Sequence, residues 1–551
     1  MKNTLKTLSI FLSATALTFA DNENFDGLTI SGKDILGGSY KNSSWIGTTI
    51  KESTFTATKF NESNFSTAKI NESNFENVDI SNSIFDEAEF TKVNFTSSTA
   101  KNTSFKKAKM TYGRVNFISG TFDGADFSEA VLSKSVTSYG SFTNQFSLSA
   151  SFENSSLIGA NFSKANLINI FSTTVSGTRN WEISSVNFSG ADLTGANFSD
   201  TNLIYVYYES ASVAKGASII FSASTKLKSV NFTNAILGNN IIALNLVKYD
   251  LSDANFTNAL LNGVSFTDSV ITNVNFSNAR NLTTDQLSAT KNYNNKNLSG
   301  IKFNGLDLTD WNLSGQNLQN TSFNAANLTG VNASYADLRG ADLTGITGSP
   351  KTQNTIWTDG EIKNFSMESV DDSLTIRAYV PATSGGAMIN AKIADDATIS
   401  GGAVLSLEEG AILEIMAGKM LTVADDSEII FNVDVASNNT KILLNSGSTL
   451  AFGADLKVTI NLDGVISPDD SYAFSVIEAA ADACISGADA ISKDNLVLNV
   501  NGEAYDSDKW GFDFDPTTGA LVINVNVPEP ATVAAIFGAV ALVLAVYRRR
   551  R

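Results

Sequence analysis

The chain of 551 residues contains no histidine and a single cysteine, Cys484. Without histidine there is no imidazole general base, no Ser-His or Cys-His nucleophile pair and no His-based metal site. One thiol excludes an intramolecular disulfide, a thiolate zinc site and an iron–sulfur cluster. Cys484 itself is expected to behave as a small buried apolar residue. Proline is nearly as scarce, with six in all and none before Pro350. Average usage of about 5% would place roughly 17 in that stretch. Whatever it builds therefore needs almost every backbone N–H. A basic patch is also missing. The formal charge is −18, about −5 of it over residues 21–350 and about −19 over 351–547, with Arg548–Arg551 at the end. Nothing in that distribution supports nucleic-acid binding.

What is present is a period of five. In NESNFSTAKINESNFENVDI (61–80) large apolar residues return at Phe65, Ile70, Phe75 and Ile80. A helix repeats at about 3.6 and a strand at 2, so neither explains it. The centres run from Phe55 to Met110 in one phase, with a small or β-branched residue two positions before each (Ser53, Thr58, Ser63, Ala68). Alternation within a short extended segment turns i−2 and i to the same side. A bend must follow, because a third inward residue never comes. Four such segments and four bends close a square coil of about 20 residues, and stacked coils pair by parallel backbone hydrogen bonds.

The stretches GADLTGANFS (190–199), NAANLTG (324–330) and YADLRGADLTG (335–345) resemble the A-(D/N)-L-x-x pattern of pentapeptide-repeat proteins. The resemblance covers about residues 35–348 and implies a right-handed quadrilateral β-helix. This chain departs in preferring Phe at the centre and in placing Ser or Thr as often as Ala at i−2, from which somewhat variable coil packing is expected. The triplet N-F-S/T recurs at 64, 94, 161, 187, 197, 231, 255 and 275. It satisfies the glycosylation rule, but the repeat itself dictates it. Some members of the family resemble DNA and bind topoisomerases. That role requires a strongly negative tube in the cytoplasm, whereas this stretch is nearly neutral.

The phase slips after Met110, Leu167, Leu203 and Phe276. Residues 168–187 and 204–230 read as insertions projecting from coil corners. Residues 133–151 keep phase, so a degenerate coil and a loop both remain open there. TTDQLSAT (283–290) fits one helical turn, with Thr283 as cap and Gln286 completing a capping box. Open coil ends invite pairing. Residues 21–45, with Tyr40 and Trp45, are the expected cap at one end, and the Pro350–Gly360 segment is expected to close the other.

After Pro350 the period disappears. SLTIRAYV (373–380), AVLSLEEGAILEIM (403–416), KMLTVADDSEIIFNVDV (419–435) and KILLNSGSTLAF (441–452) alternate apolar with polar between Gly, Asn and Asp turns. A second all-β domain over 351–526 follows from this pattern. ADDATI (394–399) and ADDSEI (424–429) hint at a looser repeat, and β-solenoid and sandwich remain alternatives. Asp pairs at 371–372, 395–396, 425–426 and 469–470, and Asp513-Phe514-Asp515, lack calcium-loop spacing and read as solvated turns.

Both termini read as addresses. Lys2 and Lys6 precede an apolar run from Leu8 to Leu17 and the small-residue approach to Ala20. This is the layout of a secretory signal, 1–20, cleaved after Ala20. At the other end Ala531–Tyr547 is free of charge and about 26 Å long as a helix, at the lower limit for a transmembrane helix. Arg548, Arg549, Arg550 and Arg551 would keep that end cytoplasmic. Pro528-Glu529-Pro530, the apolar stretch and the basic end together resemble the PEP-CTERM sorting signal (527–551). That resemblance implies an exosortase-type membrane protease as partner, transient attachment to the cytoplasmic membrane and release into the envelope or extracellular matrix.

The domain reading is thus signal peptide 1–20, repeat β-helix 21–350, acidic all-β domain 351–526 and sorting segment 527–551. No catalytic, cofactor-binding or metal residues stand out. The expected function is a non-enzymatic structural or interaction protein, exported to the cell envelope or extracellular space. As an alternative, aromatics in the insertions (Trp181, Tyr205, Tyr207 and Tyr208) among Ser, Thr and Asn would contact exopolysaccharide or other surface proteins. A polysaccharide-degrading enzyme is the weakest reading, because outward positions are dominated by Asn, Ser and Thr and offer no converging acids and bases.

Overall fold

A computed structural model describes residues 21–133, 145–175, 178–210, 213–434, 436–437, 439–464, 475–487, 495–504, 510–515 and 520–525. The chain packs into two compact units. One holds everything up to Leu306 together with Phe323–Ala326, the other Asp307–Ser322 and everything from Asn327 onward.

The first unit is a four-sided tube. Four columns of parallel bridges run along it: Asn24–Ser44–Asn64–Ile84–Ser104, Thr29–Thr49–Lys69–Glu89, Asp34–Thr54–Asn74–Asn94 and Ser39–Lys59–Asp79–Thr99. Each step is 20 residues, so five is the length of one side, as the period requires. The centres point inward and are fully buried, Phe55, Phe65, Phe75 and Phe85 among them. One column of aromatics stacks nearly face to face. The ring centroids of Phe65 and Phe85 are 4.5 Å apart at 3°, those of Phe105 and Phe127 4.8 Å at 2° and those of Phe127 and Phe162 5.1 Å at 3°. The coil spacing imposes these separations, close to the 4.7–4.9 Å between paired strands. Each buried Phe contributes roughly 1.5–3 kcal/mol, with ring–ring contact adding to it.

Serine and threonine at i−2 are explained by the same interior. Ser63 Oγ donates to Tyr40 O at 2.7 Å, Ser83 Oγ to Phe60 O at 2.6 Å and Thr103 Oγ1 to Ile80 O at 2.7 Å. The hydroxyls therefore tie adjacent coils together, and the sides keep one length where they occur. Outside, most of the N-F-S/T triplets build corners. Asn64 Oδ1 accepts from Ser66 N–H at 2.9 Å and from its hydroxyl at 2.6 Å, and Asn231 does the same with Thr233. Such local bonds are what favours Asn at turns. The remaining amide N–H reaches the next coil: Asn197 Nδ2 donates to Asn161 Oδ1 at 3.0 Å and Asn231 Nδ2 to Asn197 Oδ1 at 2.9 Å.

Every corner also needs one left-handed residue. Glu62 (φ 63°) and Thr67 (φ 58°) supply it in one coil, and Gly159 (φ 66°) and Gly195 (φ 68°) in others. A Cβ on Gly159 would meet nothing within 4 Å, so a substitution there tests backbone conformation alone. Gly159→Val is expected to lower stability by about 1–2 kcal/mol, and Gly159→Asn by less than half of that. Urea midpoints of the two variants measure the difference, and equal midpoints would remove the conformational explanation.

The capping box forms as expected. Thr283 accepts from Gln286 N–H and Gln286 Oε1 accepts from Thr283 N–H at 2.8 Å, opening a helical turn over Thr284–Ser288. Gln286 Nε2 also donates to Leu261 O and Val264 O, both at 2.7 Å, which fastens the turn to the coil before it. Between Leu132 and Ala150 the chain is longer than one coil needs. Val115 pairs with Ala150, and Asp126 lies beside Asn161, 35 residues on. Fifteen extra residues are three periods, so the phase survives an interruption of the coil.

Two expectations about the ends are corrected. Residues 21–45 are a regular coil, because Phe25, Tyr40 and Trp45 take inward positions. Phe25 stacks on Trp45 at 3.9 Å and Tyr40 on Phe60 at 5.2 Å. In the second unit the Pro350–Gly360 segment does not close the stack. Lys351 and Ile356 bridge back to Asn332 and Asp337, a short hairpin follows at Thr355–Ile356 and Ile362–Lys363, and Glu361 bridges onward to Lys392.

The second unit opens with four-sided coils (Asp307–Asn327, Asn312–Asn332, Asn317–Asp337, Ser322–Asp342) and becomes a three-sided parallel β-solenoid. Its three sheets stack Val404–Leu407 on Glu428–Asp434 and Lys457–Asp463; Ile412–Ile415 on Lys441–Leu444; and Met420–Val423 on Thr449–Phe452. Strand starts at 404, 412, 420 and 428 are eight residues apart, four of strand and four of turn, so three sides complete a coil. Gly402, Gly410 and Gly418 take positive φ at successive corners. The solenoid alternative holds. ADDATI and ADDSEI are corner turns: Asp396 accepts from Met420 N–H at 3.0 Å and Asp425 from Ala454 N–H at 2.6 Å.

Cys484 is corrected too. It is exposed, since it starts the strand Cys484–Ser486 with its neighbour Ile485 over Leu450. One step of alternation turns it out. At the junction of the two coil types within this unit, Asp337 and Arg339 form a fully buried ion pair at 2.6 Å, which the repeat pattern of YADLRG did not foreshadow.

Acid should weaken both units. Hydrogen bonds from the hydroxyl and N–H of Thr309 hold the Asp307 carboxyl below the ordinary carboxylate range. At Asp192 burial pushes upward, but bonds from Lys226 and Thr194 outweigh it and the value is again lowered. A lowered folded-state pKa contributes stability above the unfolded value, about 3.9, and loses it as pH falls through the folded value. Urea midpoints should therefore hold from about pH 7 to 5 and drop below about pH 4. A midpoint that rises on acidification would contradict these assignments.

Candidate functional site on the tube wall

The wall of the first unit is interrupted by two antiparallel hairpins. The first pairs Ile168–Val175 with Thr178–Asn187, and its second strand lies parallel to Gln145–Ser151, so it lengthens one side of the tube beyond the corner. The second pairs Ile204–Ser210 with Val213–Ser218. The two hairpins lie side by side. Their bases are anchored by buried Ile168, Ile204, Ala217 and Ile219. Insertion of 14–16 residues leaves the columns intact, because Asn161, Asn197 and Asn231 still bridge one above another.

The hairpins carry the four aromatic residues singled out from the sequence. Trp181 sits opposite Ser172 in the first. In the second, Tyr205 is opposite Ala217, Tyr207 opposite Lys215 and Tyr208 opposite Ala214. Tyr205 is 38% exposed, enough to leave a ring face for contact. Adjacency of the hairpins brings the strands that bear all four into one region of the wall. Ala20, Pro528, Glu529, Pro530, the 531–547 stretch and Arg548–Arg551 lie outside the described residues. Among the described residues no helix is long and apolar enough to cross a membrane.

Sequence reasoning missed a depression beside the second hairpin. It has a volume of about 310 Å³ and is lined by residues 223–228 and 248–250, with Thr194 at its edge. Tyr249 Oη donates to Ser222 O at 2.8 Å across it, and Lys226 Nζ pairs with Asp192 at 2.7 Å. The signal in the sequence was the slip of phase between Leu203 and Phe232.

The family model for pentapeptide repeats matches in eight copies, over residues 50–86, 73–111, 149–170, 182–207, 250–280 and 307–345. Over these residues the four-sided coils are built from pentapeptide repeats. The chain is also similar to solved structures. A trypsin-treated variant of QnrB1, described as a plasmid-mediated fluoroquinolone resistance protein, is 15% identical; the match covers 46% of this chain and 92% of that one with a TM-score of 0.23. HetL, a pentapeptide repeat protein involved in heterocyst differentiation regulation from the cyanobacterium Nostoc, is 16% identical over 62% of this chain and 92% of its own, with a TM-score of 0.14. No curated protein matches. In these pentapeptide-repeat coils the outward side chains are spent largely on one another, as the Asn ladders show, and the hairpins and the depression are where the regular wall gives way.

Proposed function

We propose that this pentapeptide-repeat chain is a non-enzymatic structural or interaction protein of the bacterial envelope or extracellular matrix. The observation that carries the reading is the wall itself. Its polar side chains bond along the coils and into the corners, an arrangement suited to presenting a stiff surface and poorly suited to moving protons. The terminal sequences supply the route. The first twenty residues export the chain, the apolar 531–547 stretch holds it at the cytoplasmic membrane, and an exosortase-type protease recognises Pro528–Pro530 and releases it. Fractionation of the native host tests this directly. The full chain should be found in the membrane and a shorter form in the envelope or medium, and replacing Pro528-Glu529-Pro530 by alanines should leave only the membrane form. A chain confined to the cytoplasm would end the proposal.

A second reading, contact with polysaccharide, is favoured by the pairing of the two aromatic-bearing hairpins. Trp181→Ala should then reduce cosedimentation with exopolysaccharide while the circular dichroism spectrum stays unchanged.

A further inference from the structure

The ladder that joins successive coils of the tube is interrupted after the second hairpin, as it is again beyond Ser265 and Val270. Asp192 bridges Lys226 and Asn187 bridges Ile220, and further along Asn245 bridges Ser265 and Asp250 bridges Val270. Between these pairs, 220 to 245 and 226 to 250, no bridge forms, whereas on the other two sides Asn231–Asn255 and Ile236–Leu260 continue unbroken. On these two sides the coils are joined more sparsely, with Ser229 N–H donating to Ser252 O at 2.7 Å. Elsewhere the equivalent N–H groups pair across coils, as Asn255 N–H does with Val230 O at 2.9 Å and Phe232 N–H with Asn255 O at 2.7 Å. Leu227 N–H and Asp250 N–H find no such backbone partner among the described residues. The depression of about 310 Å³ opens at this break.

Its rim is cationic. Lys226, Lys228 and Lys248 all line it, with the hydroxyl-bearing Thr194, Ser224 and Thr225 between them. Asp250 is the one carboxylate on the rim, and Asp192 is taken by Lys226. Lys228 and Lys248 have no acidic partner among the described residues. Between Glu209 and Asp250 the sequence holds four lysines and no acidic residue, in a chain of net charge −18. Solvated lysines on an acidic protein ordinarily alternate with carboxylates, as Lys92 with Glu72 and Lys109 with Glu89 do on this same tube. The Thr194 and Thr225 hydroxyls are already spent on Asp192 and Phe188 O, which leaves the Leu227 and Asp250 N–H groups and the ammonium groups of Lys228 and Lys248 as donors for an oxyanion.

The geometry points to an anion-binding breach in the tube wall, at Lys228 and Lys248, that takes carboxylate groups of an acidic polysaccharide. The lining of the recess begins five residues after the second hairpin ends at Ser218. A single carboxylate at an exposed site would bind weakly, and repetition along a polymer supplies the avidity. This rests on the reading of the chain as an exported contact protein, but it is tested separately.

The full chain, kept in detergent, is applied to immobilised polygalacturonate and to neutral dextran of matched length. Binding is expected to polygalacturonate alone and to weaken with salt, because exposed charges are screened. Lys228→Gln with Lys248→Gln should weaken it about tenfold or more, with an unchanged circular dichroism spectrum. Lys106→Gln with Lys107→Gln, on another stretch of the wall, should leave it unaltered. Absence of binding by the native chain, equal binding by the Lys228/Lys248 variant, or an equal loss in the Lys106/Lys107 variant overturns the proposal. Displacement of the polymer by millimolar inorganic sulfate overturns the polymer assignment in favour of a small free anion. Release into the medium with no polymer binding would leave the exported-protein reading standing and remove this one.

Discussion

Arg339→Met, with Asp337 left in place, should destabilise the second unit by about 3–5 kcal/mol. Arg339 and Asp337 have side chains 1% and 0% exposed. The guanidinium uses four of its five donors. Nε donates to Asp337 Oδ1 at 2.9 Å, Nη2 to Asp337 Oδ2 and to Arg377 O, both at 2.6 Å, and Nη1 to Ile389 O at 2.9 Å. Gln319 Nε2 adds a further bond to Asp337 Oδ2 at 2.7 Å. Removing the cation strands a carboxylate and two carbonyls away from water, and an uncompensated buried charge is what makes such a change expensive. Removing both charges is a different experiment. Asp337→Leu with Arg339→Met should recover a good part of the loss, because no ion is left unpaired. Urea denaturation of the three proteins decides it. A double variant no more stable than Arg339→Met would show that the carbonyl bonds, and not the pair, dominate.

Phe85→Ala should cost a similar amount in the first unit, about 3–5 kcal/mol. Phe85 is fully buried and lies between Phe65 at 4.5 Å and Phe105 at 5.1 Å, with the edge of Phe95 at 6.4 Å. The tube cannot collapse around the cavity, because coil spacing is set by backbone hydrogen bonds on all four sides and the neighbouring rings are held at their own levels. Phe85→Leu keeps most of the volume and should lose less than half as much. Thermal or urea unfolding compares the two. A loss confined to about 1 kcal/mol for alanine would mean that the stack relaxes and that the ring column is not rigid.

These two sites differ in how visible they are along the chain. Phe85 was legible at once, since its spacing from Phe65, Ile70, Phe75 and Ile80 states which way it points and what lies above it. Arg339 was not. It occupies an ordinary outward repeat position, and it is buried only because residues 377 and 389, far away in sequence, cover that face. The choice between a degenerate coil and a loop over 133–151 stayed open for another reason: a surplus of three periods preserves the phase, and register between coils can be read only from the pairing of Val115 with Ala150. The hairpins were visible as losses of phase. The breach beside the second of them was not, because a missing backbone bridge leaves no mark on residue type, although the run of lysines without acids does. Cys484 was misplaced on general preference when the alternation with Ile485 already turned it outward.

The amino-acid order alone determined that the chain coils with four sides of five residues, puts its phenylalanines inside and spends its asparagines at corners, because each of these is a local rule repeated many times. Only the folded chain decided where coils skip a partner, where four sides become three and which charges end up enclosed. Those outcomes depend on pairs of segments distant in sequence, and no local period encodes which of them meet.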